Sequence, residues 1–378
     1  MGLSSCQAAA ESSTAQAPHK KAWTAPVFPL KVSISPPNAM RAVEPARRVV
    51  VTASGGRLTG VRVVSSKGKA VAGALSPDGT LWTAASGLAF GTEYAVVADA
   101  VGNDTKAQRV QSSFITADPS KLAYPSMSPI AGETVGVGMP ILVTFDRPVV
   151  NKAAAERRMT VRTSRPVQGT WHWLSDYNVH YRPRVYWPAH TAVTVDLNLL
   201  GVDLGDGVYG QANRHVPFTV GSAVISTISN ATKSMTVVQD GKVLRTMPVS
   251  LGKPSMPTSA GTHVVMEKFS EKYFDSASFG LPRDAPGGYY TKVYWDTRFT
   301  GGGEFVHAAP WSTGSQGRRN VSHGCVNVST SNARWFYYLS KRGDVVRVIG
   351  TERQVRPGDG YTDWNLTWEQ YLQGSALI

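Results

Sequence analysis

The stretch Asn320–Ser329, NVSHGCVNVS, sets a cysteine between a Ser-His-Gly run and an asparagine in a chain that has only two cysteines. Gly324 and the polar flanks Ser322, His323 and Asn327 describe a turn, poor company for a thiol kept merely as a small buried hydrophobe. Downstream, Ser329 or Ser331 is expected to cap a helix over NARWFYYLSK, which Lys341-Arg342-Gly343 ends, and DVVRVI returns as a strand. Cys325 is therefore expected at a strand-to-helix corner. Upstream, EFVHAAPW brings His307 on a separate strand, with fourteen residues between it and Ser322.

A thiol becomes a good nucleophile when a nearby imidazole takes its proton. His323 and His307 are both available. A productive base needs its second ring nitrogen tethered, and His307, arriving on another strand, is better placed for that than His323. Glycine at 324 lets the backbone approach a carbonyl closely, and the amides of Gly324 and Cys325 are positioned to receive an oxyanion.

The wider chain is 378 residues long, 42% apolar and 17% charged, so two or three globular domains are expected. Thirty-six glycines and 23 prolines are spread along it, which favours short strands joined by turns. The fold class read from this is mainly β. Residues 1–25 read as a flexible linker. Residues 26–119 and 120–220 each read as an immunoglobulin-like β-sandwich, with runs such as RRVVVTASGG, GVRVVSSKG and GMPILVTFDRPV. Trp82, Trp171 and Trp173 are expected as core anchors.

Residues 221–351 read as a third, β-rich domain with a short helix, the one that holds His307 and Cys325. In it, SMTVVQDGKVLRTMPVSLG is a hairpin turning at Asp240-Gly241 and GTHVVMEKF is a further strand. The segment YFDSASFGLPRDAPGGYYTKVYW, rich in Gly, Pro and aromatics, is expected as a flap. Residues 352–378 read as a packing tail, in which Trp364, Trp368, Tyr371 and Leu372 share one helical face.

The net charge of +13 points to an acidic partner. Lysines and arginines occur singly or in pairs, with no zinc-finger, helix-turn-helix or RNP pattern, so no nucleic-acid partner is expected. No run reaches the length of a membrane span. No metal and no cofactor is expected, since a His-Cys pair lacks a third and fourth ligand at zinc spacing. Leu3-Ser4-Ser5-Cys6 resembles the end of a bacterial lipoprotein signal, and two readings of Cys6 stand at this point: a lipid-bearing residue that anchors the chain to a membrane surface, or an incidental thiol in a linker. A Cys6–Cys325 disulfide is not expected.

His307, fourteen residues, then Ser322-His323-Gly324-Cys325-Val326-Asn327 resembles the catalytic motif of YkuD-type L,D-transpeptidases. FVHAAPWS, SHGCVNVS and ARWFYYLSKRGDVVRV are similar to the mycobacterial and actinobacterial members, which combine tandem immunoglobulin-like domains with a YkuD-type catalytic domain. The resemblance implies an extracytoplasmic enzyme of the cell wall. Its cysteine attacks the third residue of a peptidoglycan tetrapeptide stem, expels D-alanine, and passes the acyl group to the diaminopimelate amine of an acceptor stem, giving a 3→3 cross-link. By position, it makes Cys325 the nucleophile and His307 the base, its ring oriented by the Ala308 carbonyl. His323 and Gly324 shape the site, Ser322 and Asn327 support the turn, and Tyr289 and Trp311 line the substrate channel. The Gly324 and Cys325 amides with Tyr289 form the oxyanion pocket, and carbapenem β-lactams are the implied inhibitors. Phe274 and Phe279 depart from the family pattern, standing where its members carry Met and Tyr, which bears on substrate range. Two alternatives stay open: a Cys-His peptidase or L,D-carboxypeptidase, in which water resolves the same thioester, and an inactive wall-binding scaffold.

Overall fold

The computed structural model describes residues 1–2 and 28–378, and of Phe279 the backbone; Cys6 lies outside the described residues. The chain is almost entirely short strands and forms two compact units. The first comprises the described residues up to Ala39 together with Val49–Ser86 and Tyr94–Phe114. One of its sheets runs Lys31–Ser35, Val50–Ser54, Leu81–Ala84, Gly73–Leu75, all antiparallel. A second pairs Gly56–Ser65 with Glu93–Gly102. Alternate residues Val51, Ala53, Val63, Val96 and Ala98 turn inward, as half-buried antiparallel sheets require, around Trp82 and the stacked Tyr94 and Phe114.

The second unit comprises Met40–Arg48, Gly87–Glu93 and Ile115–Ile378. Its first part is another sandwich. Pro125–Ser128, Ile141–Phe145, Asn178–Pro183 and Gly169–Trp173 form one sheet, and Thr134–Val135, Asn213–Val220, Ala192–Asn198 and Met159–Thr163 form the other. Between them Trp171, Trp173 and Trp187 are buried, each with its indole N–H on an acceptor: Met159 O at 3.3 Å, Glu156 Oε2 at 3.1 Å and Met139 O at 2.6 Å. These rings are core anchors whose one polar atom is satisfied.

After Gly221 two further sheets are built. The five-stranded sheet has the order Lys242–Pro248, Ser234–Gln239, Val224–Ser229, Val345–Ile349, Gly261–Val264. Its hairpin turns on Asp240 and Gly241 with φ of 49° and 82°, the pair of positive angles that matches the twist of a two-residue connection. The four-stranded sheet has the order Glu267–Asp275, Tyr290–Arg298, Phe305–Ala308, Val326–Val328. Helix Thr330–Leu339, capped by Ser329, packs Ala333 and Phe336 into a core with Val306, Ala308, Val326, Val328 and Val346.

Three sequence expectations need correction. GTHVVMEKF is two strands, because the Val265 amide still bonds Asp344 O while the Met266 amide bonds Arg298 O; the chain changes sheets at that point. A three-residue strand, Val326–Val328, separates Cys325 from the helix, so the cysteine stands at the end of a turn entering a strand. The tail is a 3-10 turn, Asp363–Asn365, followed by a five-residue helix, Trp368–Leu372, so the four side chains share no single helical face. Thr367, with an extended backbone, begins the helix and forms a reciprocal capping box with Gln370. Trp364, Trp368 and Tyr371 instead converge on the Arg182 guanidinium at 4.8, 5.5 and 4.3 Å.

Candidate active site

Strands Phe305–Ala308 and Val326–Val328 pair in parallel, with His307 opposite Asn327. Cys325 ends the turn that enters this strand, two residues before Asn327. His307, Asn327 and Cys325 line one cavity of about 530 Å³ with Phe274, Tyr289 and Trp311. The inner face of the 267–298 hairpin roofs it. The flap segment is an ordered hairpin, its loop tied by the Arg283–Asp275 ion pair, by the Ser276 amide on Tyr289 O and by the Tyr289 amide on Ser276 Oγ.

The His307 ring is buried, and its Nδ1 lies 3.1 Å from the Ala308 carbonyl oxygen. A carbonyl only accepts, so Nδ1 carries the proton and Nε2 is the basic nitrogen. Phe274 packs 5.1 Å from the ring and Trp311, largely exposed, 6.1 Å from it. Asn327 anchors the strand by its Nδ2–H on Ser312 Oγ and by backbone bonds with Ser250.

Ser322 closes the turn. Its hydroxyl donates to Cys325 O at 2.6 Å and accepts from the Gly324 amide at 3.1 Å. The Gly324 amide therefore points at Ser322, which corrects its expected part in the oxyanion pocket. Gly324 has φ +128°, a conformation that residues bearing a side chain rarely adopt. Tyr289 remains near the thiol, and burial pushes its phenol up to about 12, so it stays a hydrogen-bond donor. His323 turns to Lys253, with Nε2 accepting from Nζ at 3.1 Å, and packs 5.3 Å from the Tyr289 ring. Burial and the lysine hold its pKa below the ordinary value.

The Cys325 thiol is half-buried and donates weakly to Gly303 O at 3.8 Å. Burial, with the Glu304 and Asp296 carboxyls adding to it, pushes the thiol up to about 12. Burial pushes His307 down to about 4, with the Ala308 carbonyl and the Asn327 side chain opposing. Both shifts favour the neutral pair, with the proton on sulfur, because burial disfavours each charged form.

Cys325, Tyr289 and His323 also border a second cavity of about 560 Å³, whose walls carry Lys272, Arg298, Glu304 and Arg353. The sequence reading missed Glu304 and Arg353. A lone carboxylate opening the apolar strand FVHA was the available signal. The side chain of Phe279 lies outside what the structure describes. Among the described residues no group of three or more His, Cys, Asp or Glu side chains is arranged to hold a metal ion.

A half-buried thiol, reached from two cavities and sharing one of them with a tethered imidazole, defines a cysteine acyl-transfer enzyme on a β-rich scaffold. The bacterial Ig domain family matches residues 40–203, and the L,D-transpeptidase catalytic domain family, YkuD, matches residues 223–348. L,D-transpeptidase 2 of Mycobacterium tuberculosis is 44% identical over 329 residues, covering 87% of this chain and 80% of that protein. L,D-transpeptidase 5 of the same organism is 36% identical over 357 residues, covering 92% and 77%. A solved L,D-transpeptidase in complex with imipenem is 39% identical, covers 59% of this chain and 97% of that one, and superposes with a TM-score of 0.52. The chain belongs to the L,D-transpeptidase family and is an enzyme of that activity. That membership puts its work at the cell wall. No helix among the described residues is long and apolar enough to cross a membrane.

Proposed function

We propose that the chain forms 3→3 peptidoglycan cross-links, with Cys325 as nucleophile and His307 as general base. His307 Nε2 takes the thiol proton as sulfur attacks the carbonyl of the third stem residue. The Cys325 amide and the Tyr289 hydroxyl receive the oxyanion. The tetrahedral adduct collapses, D-alanine leaves with the proton from His307, and a thioester remains. The side-chain amine of an acceptor diaminopimelate then attacks, His307 takes the amine proton and returns it to sulfur, and the new amide departs. The observation that carries this reading is that Cys325, at the turn leading into the strand paired in parallel with the His307 strand, lines the same cavity as His307.

Ser322 and Asn327 hold the turn, His323 and Gly324 shape it, and Trp311, Phe274 and Phe279 set the donor side. The domain limits in this reading are 1–25, 26–119, 120–220, 221–351 and 352–378. Carbapenems acylate the same thiol, in keeping with the relative bound to imipenem. Cys6, in Leu3-Ser4-Ser5-Cys6, carries a lipid that holds the enzyme at the membrane surface; incorporation of an alkynyl fatty acid that persists in Cys6→Ala would refute that part.

The decisive experiment incubates the protein with a tetrapeptide-stem muropeptide and follows it by mass spectrometry. An acyl adduct lacking D-alanine is expected on the wild type and none on Cys325→Ala. No adduct on the wild type, or one on the variant, overturns the mechanism. Adding an acceptor stem gives cross-linked dimer, and tripeptide alone would mean that water resolves the thioester.

A further inference from the structure

Glu304 precedes the strand that carries His307, and the residue is 6% exposed. Such a group is costly to bury unless it is paired and hydrogen-bonded. Here it is both: the Ser259 amide donates to Oε1 at 3.0 Å, the Ser259 hydroxyl donates to Oε1 at 3.3 Å, and the Arg353 guanidinium closes on Oε1. The carboxylate also packs on the turn. A first side-chain carbon placed on Gly324 would lie 3.3 Å from Glu304 Oε1 and 3.8 Å from Arg353 Nη2. On the other side, Thr258 Oγ1 donates to the Gly324 carbonyl at 2.7 Å and accepts from the Gly252 amide at 3.0 Å. Residues 258 and 259 thus grip the turn twice, once directly and once through Glu304.

The grip has a reason. Gly324 has no side chain to restrict it, and its neighbour's backbone amide must be aimed to better than an ångström for an oxyanion to form. Burial lifts the Glu304 carboxyl to about 7, while Arg353 and the Ser259 hydrogen bonds pull it back, so the guanidinium favours the ionised, hydrogen-bond-accepting form. Arg353 comes from the segment beyond the last strand, fixed there by the Ala260 amide on its carbonyl at 2.7 Å.

We propose that Glu304, clamped by Arg353, is the positioning residue that holds Gly324 and so aims the Cys325 amide and sulfur, which makes the segment after residue 351 part of the catalytic apparatus. The inference rests on Cys325 being the nucleophile.

The test is stopped-flow acylation of the full chain by imipenem, separating the apparent binding constant from the first-order acylation constant. In Glu304→Gln, which keeps the shape and removes the charge, acylation is expected to slow by about tenfold or more with binding changed by less than about twofold. Arg353→Met is expected to behave alike. Because only one guanidinium nitrogen reaches Glu304, Arg353→Lys is expected to stay within about threefold of wild type. Wild-type acylation in Glu304→Gln, or an equal loss in binding and acylation, overturns the proposal. If Glu304→Gln fails to fold, the arginine pair decides, and equal rates in Arg353→Met and Arg353→Lys overturn it. Cys325→Ala is run alongside: an imipenem adduct on that variant sinks the nucleophile reading itself, whereas its absence with a wild-type Glu304→Gln sinks only the positioning role.

Discussion

His307 and Asn327 are register partners across two parallel strands, and that single pairing brings the imidazole and the thiol together. Cys325 lies two residues before Asn327, at the end of a turn locked by Ser322, and lines the same cavity as His307. The base is therefore set by a sheet register and not by a flexible loop.

Because the proton rests on sulfur, His307 is needed to remove it, and a change of pH cannot easily replace it. His307→Gln is expected to slow imipenem acylation by about 10²–10⁴-fold with little change in thermal stability. The wild-type rate should fall as pH drops through about 4, where the imidazole becomes protonated, and should show no plateau from thiol ionisation below pH 9, since the thiol titrates near 12. An acylation profile with a limb near pH 6.5 would contradict the burial of His307.

Gly324→Ala tests the turn directly. Its φ of +128° and the 3.3 Å approach to Glu304 leave a methyl group no relaxed position. The expected cost is about 1–3 kcal/mol of stability, and acylation should slow by about a hundredfold because the Cys325 amide turns away. Wild-type acylation in this variant, measured with the thermal midpoint, would mean the turn tolerates another geometry.

Asp296 offers a prediction about stability. It is fully buried, neither carboxyl oxygen has a hydrogen-bond partner among the described residues, and burial lifts its pKa to about 7. An acid with a raised folded pKa weakens the fold once ionised; the penalty grows from its unfolded value upward and is complete above about 7. Asp296→Asn should thus stabilise the protein by up to about 4 kcal/mol at pH 8, and the gain should vanish below about pH 4. Denaturant melts at the two pH values check this, and a gain independent of pH would assign it to packing.

Which parts of this molecule can be read from sequence follows from how local each feature is. The His307 and Cys325 spacing is legible because fourteen intervening residues before Ser322 form one crossover between two adjacent strands. The Asp240-Gly241 hairpin is legible because its turn chemistry is local. The sheet change at Val265 and Met266 is not, since apolar periodicity runs straight through it while the partners come from residues 298 and 344. Glu304 and Arg353 stay hidden for the same reason: their meaning lies in contacts with residues 259 and 324, distant in sequence. The raised thiol of Cys325 is equally hidden, because burial sets most of it and the carboxyls that add to it come from residues 296 and 304.

The tail supplies the last prediction. The Arg182 guanidinium is buried beneath Trp364, Trp368 and Tyr371 and donates to the Leu366 carbonyl at 3.0 Å. Beside it, His180 Nδ1 meets Asp363 Oδ1 at 2.9 Å, and the Tyr371 hydroxyl donates to the same oxygen at 3.3 Å. Cation–π contacts at desolvated sites contribute about 2 kcal/mol and charged hydrogen bonds about 1.5–3 kcal/mol. Arg182→Ala is therefore expected to cost at least about 3 kcal/mol and to leave three aromatic rings around a void. Limited proteolysis should then cut after residue 351 in the variant and not in the wild type. Since Arg353 lies just beyond that point, the cleaved protein should also acylate with imipenem about tenfold or more slowly, as Arg353→Met does, while the thiol itself stays intact to denaturing titration. Acylation at the wild-type rate after cleavage would separate the tail from the turn.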